Sequence, residues 1–200
     1  MRTTFLLIFI TLLNLSSFCK CITSGTNNGY PCLNNTEARL AYEINRYRLS
    51  RKLNSIPLSA SLTRVAKLHV RDLAENYKPG KSCNLHSWSQ SPKWTSCCYT
   101  PNHAKASCMW DKPRELTSYK GTGYEIAYYC SYNYRSDDEF IEDVMKGWKS
   151  SDGHHALIIN EGEWKTVEWK AMGVGVYNGF AVIWFGEETD TEGKPDICTN

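Results

Sequence analysis

The chain has 200 residues, of which 42% are hydrophobic, and it contains seven Trp and twelve Tyr. This length and apolar content suffice for one compact domain with a substantial core, and they argue against a second domain. A formal charge of +2, without a clustered run of Lys and Arg, argues against a nucleic-acid partner.

The N-terminus has the pattern of a secretory signal peptide. Arg2 precedes an apolar run from Phe5 to Leu15, and Ser17 and Cys19 are small residues suited to cleavage after Cys19. The run is shorter than the roughly 20 apolar residues of a membrane span, and no later segment approaches that length. We therefore expect residues 1–19 to be removed and the mature protein to be extracellular, with no transmembrane segment.

The cysteines agree with export. Cleavage after Cys19 removes one of the nine cysteines and leaves eight, an even set that allows four disulfides in an oxidising compartment. Eight cysteines permit 105 pairings, so the connectivity stays open. Asn34-Asn35-Thr36 is an N-glycosylation sequon, as expected on the surface of a secreted glycoprotein.

Two amphipathic helices are predicted after an N-terminal segment over residues 20–35. The first extends from Thr36, a suitable N-cap, to Leu53, and one of its faces collects Leu40, Ile44 and Tyr47. The second begins at Ser61 and ends at Pro79-Gly80. Its apolar face includes His69, a position more typical of a hydrogen-bonded core histidine than of a ligand.

Residues 83–119 lack a regular pattern but hold four cysteines and three tryptophans, which indicates a disulfide-tied excursion. A short buried element over Ile126–Tyr129 follows. A third helix is predicted next: Asp137-Asp138-Glu139 suits the positive end of its dipole, and its apolar stripe reaches Trp148.

Gly153 is predicted to end this third helix, so that His154 and His155 lie just beyond it, at a surface or cleft. In an extended segment neighbouring side chains point to opposite faces, so His155 is expected to point away from His154.

The C-terminal part contains a predicted β-hairpin. Met172–Tyr177 and Phe180–Phe185 are separated by Asn178-Gly179, the strongest two-residue hairpin signal. Helices followed by strands indicate a layered α/β domain.

From Thr36 to Gly186 the chain resembles the CAP superfamily, which includes the cysteine-rich secretory, antigen-5 and plant pathogenesis-related proteins and is also called the SCP domain. Five segments carry this resemblance in the family's order, and together they are far more specific than any one of them: Glu43–Arg48, Leu62–Tyr77, Cys83–Ser87, Gly123–Ala127, and Trp148–Asn160 with Met172–Val176.

The resemblance implies a single CAP domain over residues 36–198, a disulfide-stabilised three-layer α-β-α sandwich with the hairpin at its C-terminal end. It identifies His86 and His154 as the two cavity histidines and Glu125 as the first cavity glutamate. His69, a candidate from its place on the second helix, is added to the cleft residues. The family's second glutamate falls on Ser151, so this chain departs from the four-residue arrangement of many relatives.

The resemblance further implies a secreted binding protein with a central His/Glu cleft. The expected partners are a sterol or other lipid, an extracellular protein target, or a divalent metal ion such as Zn²⁺ held by His86, His154 and Glu125. The alternative is a metal-dependent hydrolase or protease that activates water in the same cleft. We expect binding rather than catalysis, because Ser151 removes a candidate acid or base.

Two other patterns are less specific. Cys98, His103 and Cys108 have the spacing of half a zinc knuckle, but Ser96 stands where another cysteine is required and the signal peptide favours disulfides. A Ser-His-Asp interpretation of Ser87, His86 and Asp152 has no nucleophile-elbow motif behind it.

Overall fold

The computed structural model describes residues 29–199, so the predicted signal peptide over residues 1–19 and Cys21 lie outside the described residues. The elements in chain order are α1 Asn35–Ser50, α2 Ala60–Asn76, α3 Ser107–Trp110, α4 Lys112–Leu116, β1 Tyr124–Tyr129, α5 Asp137–Ser150, α6 Asp152–Ile158, a 3₁₀ turn Gly162–Trp164, β2 Ala171–Tyr177 and β3 Phe180–Gly186.

The three strands form one antiparallel sheet in the order β1-β3-β2. Asn178 and Gly179 join β2 to β3, with φ of 47° and 81°. Positive φ at both central residues is typical of the tight turn that Asn-Gly favours. The predicted hairpin is therefore confirmed, and the predicted element at Ile126–Tyr129 is the third strand, paired to β3.

The sheet lies between two helical layers. Alternate strand residues face opposite sides: Ala127, Val182 and Trp184 pack with α2, whereas Ile126, Ile183 and Phe185 pack with α1 and α5. Each side holds its own buried hydrophobic cluster, so the predicted α-β-α sandwich is confirmed.

Helix α1 begins earlier than predicted. The N-cap is Asn34, not Thr36: the Asn34 side chain accepts a hydrogen bond from the Glu37 amide, and the Glu37 carboxylate accepts one from the Asn34 amide. This reciprocal capping box satisfies two otherwise unpaired amides of the first turn. The predicted end at Leu53 was also wrong, since α1 ends at Ser50.

Gly153 does not end a helix. Helix α5 ends at Ser150, Ser151 is extended with φ −100° and ψ 114°, and α6 starts at Asp152 with Gly153 inside it. The break therefore falls two residues before the predicted one. His154 and His155 lie within a helix and not in an extended segment.

Within residues 29–199 three disulfides stabilise the fold: Cys32–Cys198, Cys83–Cys98 and Cys97–Cys108. The last two tie down residues 83–108, as expected for the irregular segment. Among the described residues Cys130 has no disulfide partner, and the predicted set of four bridges would also involve Cys21. No helix within residues 29–199 is long and apolar enough to cross a membrane.

Candidate functional site

Helix α2 and strand β1 bring His69 and Glu125 together in the interior. His69 Nδ1 lies 2.5 Å from Glu125 Oε1, and His69 Nε2 lies 3.0 Å from the Ser87 carbonyl oxygen. Both side chains are fully buried. A carbonyl and an ionised carboxylate only accept hydrogen bonds, so both ring nitrogens of His69 must donate and the ring is an imidazolium.

Charges agree with this assignment. Burial alone would lower the pKa of His69, but the Glu125 charge and the hydrogen bonds to Glu125 and Ser87 outweigh it, so the pKa of His69 is raised. Burial alone would raise the pKa of Glu125, but His69 and His86 outweigh it and the pKa of Glu125 is lowered. The result is a buried ion pair at the base of the site.

His86 is the second partner of Glu125. Its Nδ1 lies 2.9 Å from Glu125 Oε2, and its side chain is 17% exposed. Because the carboxylate accepts, His86 donates from Nδ1, which leaves the Nε2 lone pair available when the ring is neutral. A histidine whose tautomer is fixed by a carboxylate in this way is typical of both metal ligands and general bases.

Helix α6 brings His154 to the same place. The His86 and His154 ring centroids are 6.2 Å apart. Burial, followed by the charge of His86, lowers the pKa of His154 to about 4, with Glu125 opposing in part. His154 is therefore neutral near pH 7 and has a lone pair to offer.

His155 faces elsewhere. Its Nε2 lies 2.8 Å from the Tyr47 hydroxyl of α1. Successive side chains of a helix point in directions roughly 100° apart, so His154 and His155 contact different parts of the protein. The structure thus gathers His69, Glu125, His86 and His154 into one cluster and leaves His155 outside it.

Two aromatic residues of the cluster were not predicted. The Trp88 ring stacks on His69 with centroids 4.4 Å apart, and the Tyr99 ring meets His86 at 5.2 Å. Both belong to the irregular segment 83–119, where the sequence has no periodicity to assign a face. The Tyr99 hydroxyl also contacts His103 Nδ1 at 2.7 Å, and burial, with the Glu125 and Glu163 charges, raises the pKa of Tyr99.

The side chains of this cluster determine whether it can bind a metal ion. Within residues 29–199, no three His, Cys, Asp or Glu side chains are grouped so that they could hold one. Two neighbouring imidazoles, those of His86 and His154, have lone pairs to offer when neutral, whereas both Glu125 oxygens already accept hydrogen bonds. The half zinc knuckle is ruled out, because Cys98 and Cys108 are each in a disulfide.

The sequence model of the cysteine-rich secretory protein (CAP) family matches residues 41–180. No curated protein sequence matches the chain significantly. Solved structures of similar fold include a cysteine-rich secretory protein from Staphylococcus aureus, an outer surface protein from Borrelia burgdorferi and an extracellular SCP-domain protein from Bacillus anthracis, each 18% identical.

The three alignments cover 77%, 76% and 76% of this chain, and 38%, 92% and 40% of the respective other chains, with TM-scores of 0.46, 0.49 and 0.49. The chain therefore spans about two fifths of the length of the staphylococcal and Bacillus proteins. At this identity the similarity concerns the fold alone.

Proposed function

Because the chain belongs to the cysteine-rich secretory protein (CAP) family, we propose that it is a secreted binding protein whose cleft between His86 and His154 takes a divalent metal ion such as Zn²⁺. The observation that carries this proposal is the pair of imidazoles, one oriented by Glu125 and the other held neutral. Imidazole nitrogen is a preferred zinc ligand, and it binds only in its neutral form. The disulfides and the signal-peptide pattern support secretion.

In this proposal Glu125 acts through His86 and not as a third ligand. Its oxygens accept from His69 and His86, an arrangement in which a carboxylate sets the tautomer of a ligating histidine. His69 has both nitrogens engaged, so it supports Glu125 and does not bind the metal. Two protein ligands leave the remaining coordination positions to water or to a bound partner.

The test is a zinc titration of the secreted, oxidised protein by calorimetry. We expect about one equivalent to bind, and His86→Gln or His154→Gln to abolish it. His155→Gln is the matched control, because His155 adjoins His154 in sequence but contacts Tyr47. Absence of saturable binding, or equal losses in all three variants, would contradict the proposal.

The larger partner in the proposal is a sterol or other lipid, or an extracellular protein. A cavity of about 330 Å³ between the end of α2 and the 83–98 loop supports a lipid, since Leu73, Tyr77 and Trp88 line it. Its volume falls at the low end for ligand sites, which favours a small lipid over a sterol.

Binding of labelled palmitate and cholesterol, used as probes, tests the lipid part. Ser96 is an exposed residue of the cavity lining, so Ser96→Trp should block a lipid held there without disturbing the core. Ser55→Trp is the control on a distant exposed loop. Palmitate binding that resists Ser96→Trp would remove this cavity from the proposal.

The second candidate function is a metal-dependent hydrolase in the same cleft. A catalytic zinc usually has three protein ligands and one water, and the cleft offers two imidazoles, with Ser151 in place of a second carboxylate. An enzyme would lose turnover in His86→Gln and His154→Gln, whereas lipid binding in a separate cavity would survive both.

A further inference from the structure

The N-cap of α1 coincides with the sequon Asn34-Asn35-Thr36. Asn34 is exposed, with φ −75° and ψ 173°, and its Oδ1 accepts from the Glu37 amide at 2.9 Å. The cap uses the carbonyl oxygen of the side chain and not the amide nitrogen. A substituent on Nδ2 therefore leaves the cap of α1 intact.

Asn34 borders a shallow depression of about 510 Å³ at the end of the sheet. Two of its lining residues are strongly exposed aromatics: Tyr132 is 58% exposed and Tyr177 is 43% exposed. The Arg71 guanidinium carbon lies 5.1 Å from the Tyr177 ring centroid and restrains that ring. The polar side chains of the lining include Asn133, Arg135, Asp137 and Asn178.

This lining matches the chemistry of a sugar. A pyranose ring has an apolar C–H face that packs on an aromatic ring, and an equatorial belt of hydroxyl and acetamido groups that needs donors and acceptors. Tyrosine rings beside Asn and Arg side chains supply both. Arg135 already pairs with Glu139, but a purely apolar ligand would desolvate the Asn133 and Asn178 amides without offering them partners, at a free-energy cost.

We propose that Asn34 carries an N-linked glycan whose first sugars lie in this depression against Tyr132 and Tyr177. The proposal rests on the secretion that forms part of the proposed function, because the modification occurs in the secretory pathway. The glycan then covers an exposed aromatic surface that borders the N-terminus of α1.

The bond is formed by the cell's oligosaccharyltransferase from a lipid-linked oligosaccharyl diphosphate. Asn34 Nδ2 attacks C1 of the first sugar, the bond from C1 to the phosphate oxygen breaks, and the lipid diphosphate leaves with the electron pair. Nδ2 loses one proton to solvent. The amide carbonyl is unchanged and remains the acceptor of the capping hydrogen bond.

Asn35→Pro provides a sharp test of occupancy. Proline in the middle of a sequon abolishes its use, yet Asn35 is the first residue of α1, where proline is favoured. The extended conformation of Asn34 also suits a residue before proline. The variant thus removes the glycan while it keeps Asn34, Thr36 and the cap, and Asn35→Ala keeps the sequon.

The chains are expressed in a glycosylating eukaryotic cell, and the medium and lysate are analysed separately by intact mass and peptide mapping. We expect a glycan on wild type and Asn35→Ala and none on Asn35→Pro. A secreted wild-type chain with unmodified Asn34 overturns this inference alone. A chain retained in the cell without signal cleavage overturns the secretion on which it rests.

Seating of the glycan is measured by the rate at which an endoglycosidase releases it from the native protein. Replacing both Tyr132 and Tyr177 by Ala should speed release about three- to tenfold. This is the ratio expected when an interaction as strong as that of one aromatic pair is lost. Tyr42→Ala is the control, since Tyr42 is 60% exposed and does not line the depression. Equal release rates from all three proteins overturn the seating.

Discussion

Glu125 and His69 form an ion pair, 2.5 Å between Oε1 and Nδ1, in which neither side chain has any exposure to solvent. The pair joins strand β1 to helix α2 across the α2 side of the sheet. A buried charge is costly unless it is paired and hydrogen-bonded, and here each partner neutralises the other. His86 is then positioned by the second oxygen of the same carboxylate, so the orientation of the partly exposed His86 depends on the buried Glu125–His69 pair.

Glu125→Gln should destabilise the protein by about 3–5 kcal/mol, the typical loss when one partner of a buried ion pair is removed. Urea unfolding measures the free energy of unfolding of both proteins. His86→Gln is the comparison, since it leaves the Glu125–His69 pair in place and should cost less. Equal losses of unfolding free energy in the two variants would mean that the Glu125–His69 pair contributes little beyond the contact between Glu125 and His86.

The effect of Glu125→Gln should also depend on pH. The folded pKa of Glu125 is lowered from 4.5, so its contribution is present above pH 4.5 and is lost as the pH falls through the folded value. The folded pKa of His69 is raised from 6.5, so its contribution is present below pH 6.5 and is lost as the pH rises through the folded value. The difference in the free energy of unfolding between wild type and Glu125→Gln should therefore be largest between pH 4.5 and pH 6.5, where both contributions are fully present.

His154 should act in the opposite sense. It stays neutral in the folded protein down to pH about 4 but protonates near 6.5 when unfolded, so the unfolded chain gains the proton first and stability falls on acidification. Between pH 7 and about 4.5 this amounts to about 2 kcal/mol. His154→Gln should flatten the decline by that amount in urea unfolding at the two pH values, and His155→Gln serves as the control. Parallel declines for wild type and His154→Gln would contradict the lowered pKa.

Local signals in the sequence predicted α1, α2, α5 and the hairpin, but not the short helices α3, α4 and α6. Asn178-Gly179 has side-chain chemistry suited to one turn type, and the acidic residues before Phe140 match a helix N-terminus, so the hairpin and α5 were predicted close to their observed positions. The start of α1 was missed because Asn34 and Thr36 are both good caps, and the deciding residue is Glu37, which completes a capping box with Asn34.

The site was predicted in part, and the limit is physical. Family motifs identified His86, Glu125 and His154, but the contact between His69 and Glu125 joins residues 56 apart in sequence. No periodicity encodes such a contact, because it depends on how α2 packs against β1. Trp88 and Tyr99 lie in a segment whose course is determined by disulfides, and their orientation could not be inferred from spacing.

Helix α2 packs against strand β2 through glycine. A Cβ atom on Gly173 would lie 2.0 Å from the Leu62 carbonyl carbon, and one on Gly175 would lie 2.5 Å from the Ala66 oxygen. Backbone atoms cannot yield as a flexible side chain can, so Gly173→Ala should cost about 3 kcal/mol or more. The midpoint of thermal unfolding would fall accordingly.

Gly153→Ala is the matched control for this prediction. Among the described residues, no atom lies within 4 Å of the added Cβ beyond its chain neighbours and its own helix, and Gly153 has an ordinary φ. Alanine there reduces the freedom of the unfolded chain and should stabilise the protein by about 0.4–1 kcal/mol. Similar losses in Gly153→Ala and Gly173→Ala would indicate that the close approach of α2 to β2 is not the cause.

The Cys32–Cys198 disulfide closes nearly the whole domain, with a sequence separation of 166, whereas Cys97–Cys108 spans 11. Loop entropy predicts that replacing the first pair by Ala costs about 5 kcal/mol and replacing the second about 3. The backbone segments around Cys32 and Cys198 stay paired in the folded variant, because the Leu33 amide donates a hydrogen bond of 2.8 Å to the Asp196 carbonyl. The loss should therefore arise in the unfolded state, and the urea m-value should rise more for the first pair. A larger loss from the short loop, with an unchanged m-value, would instead place the stabilisation in native contacts of the 83–108 segment.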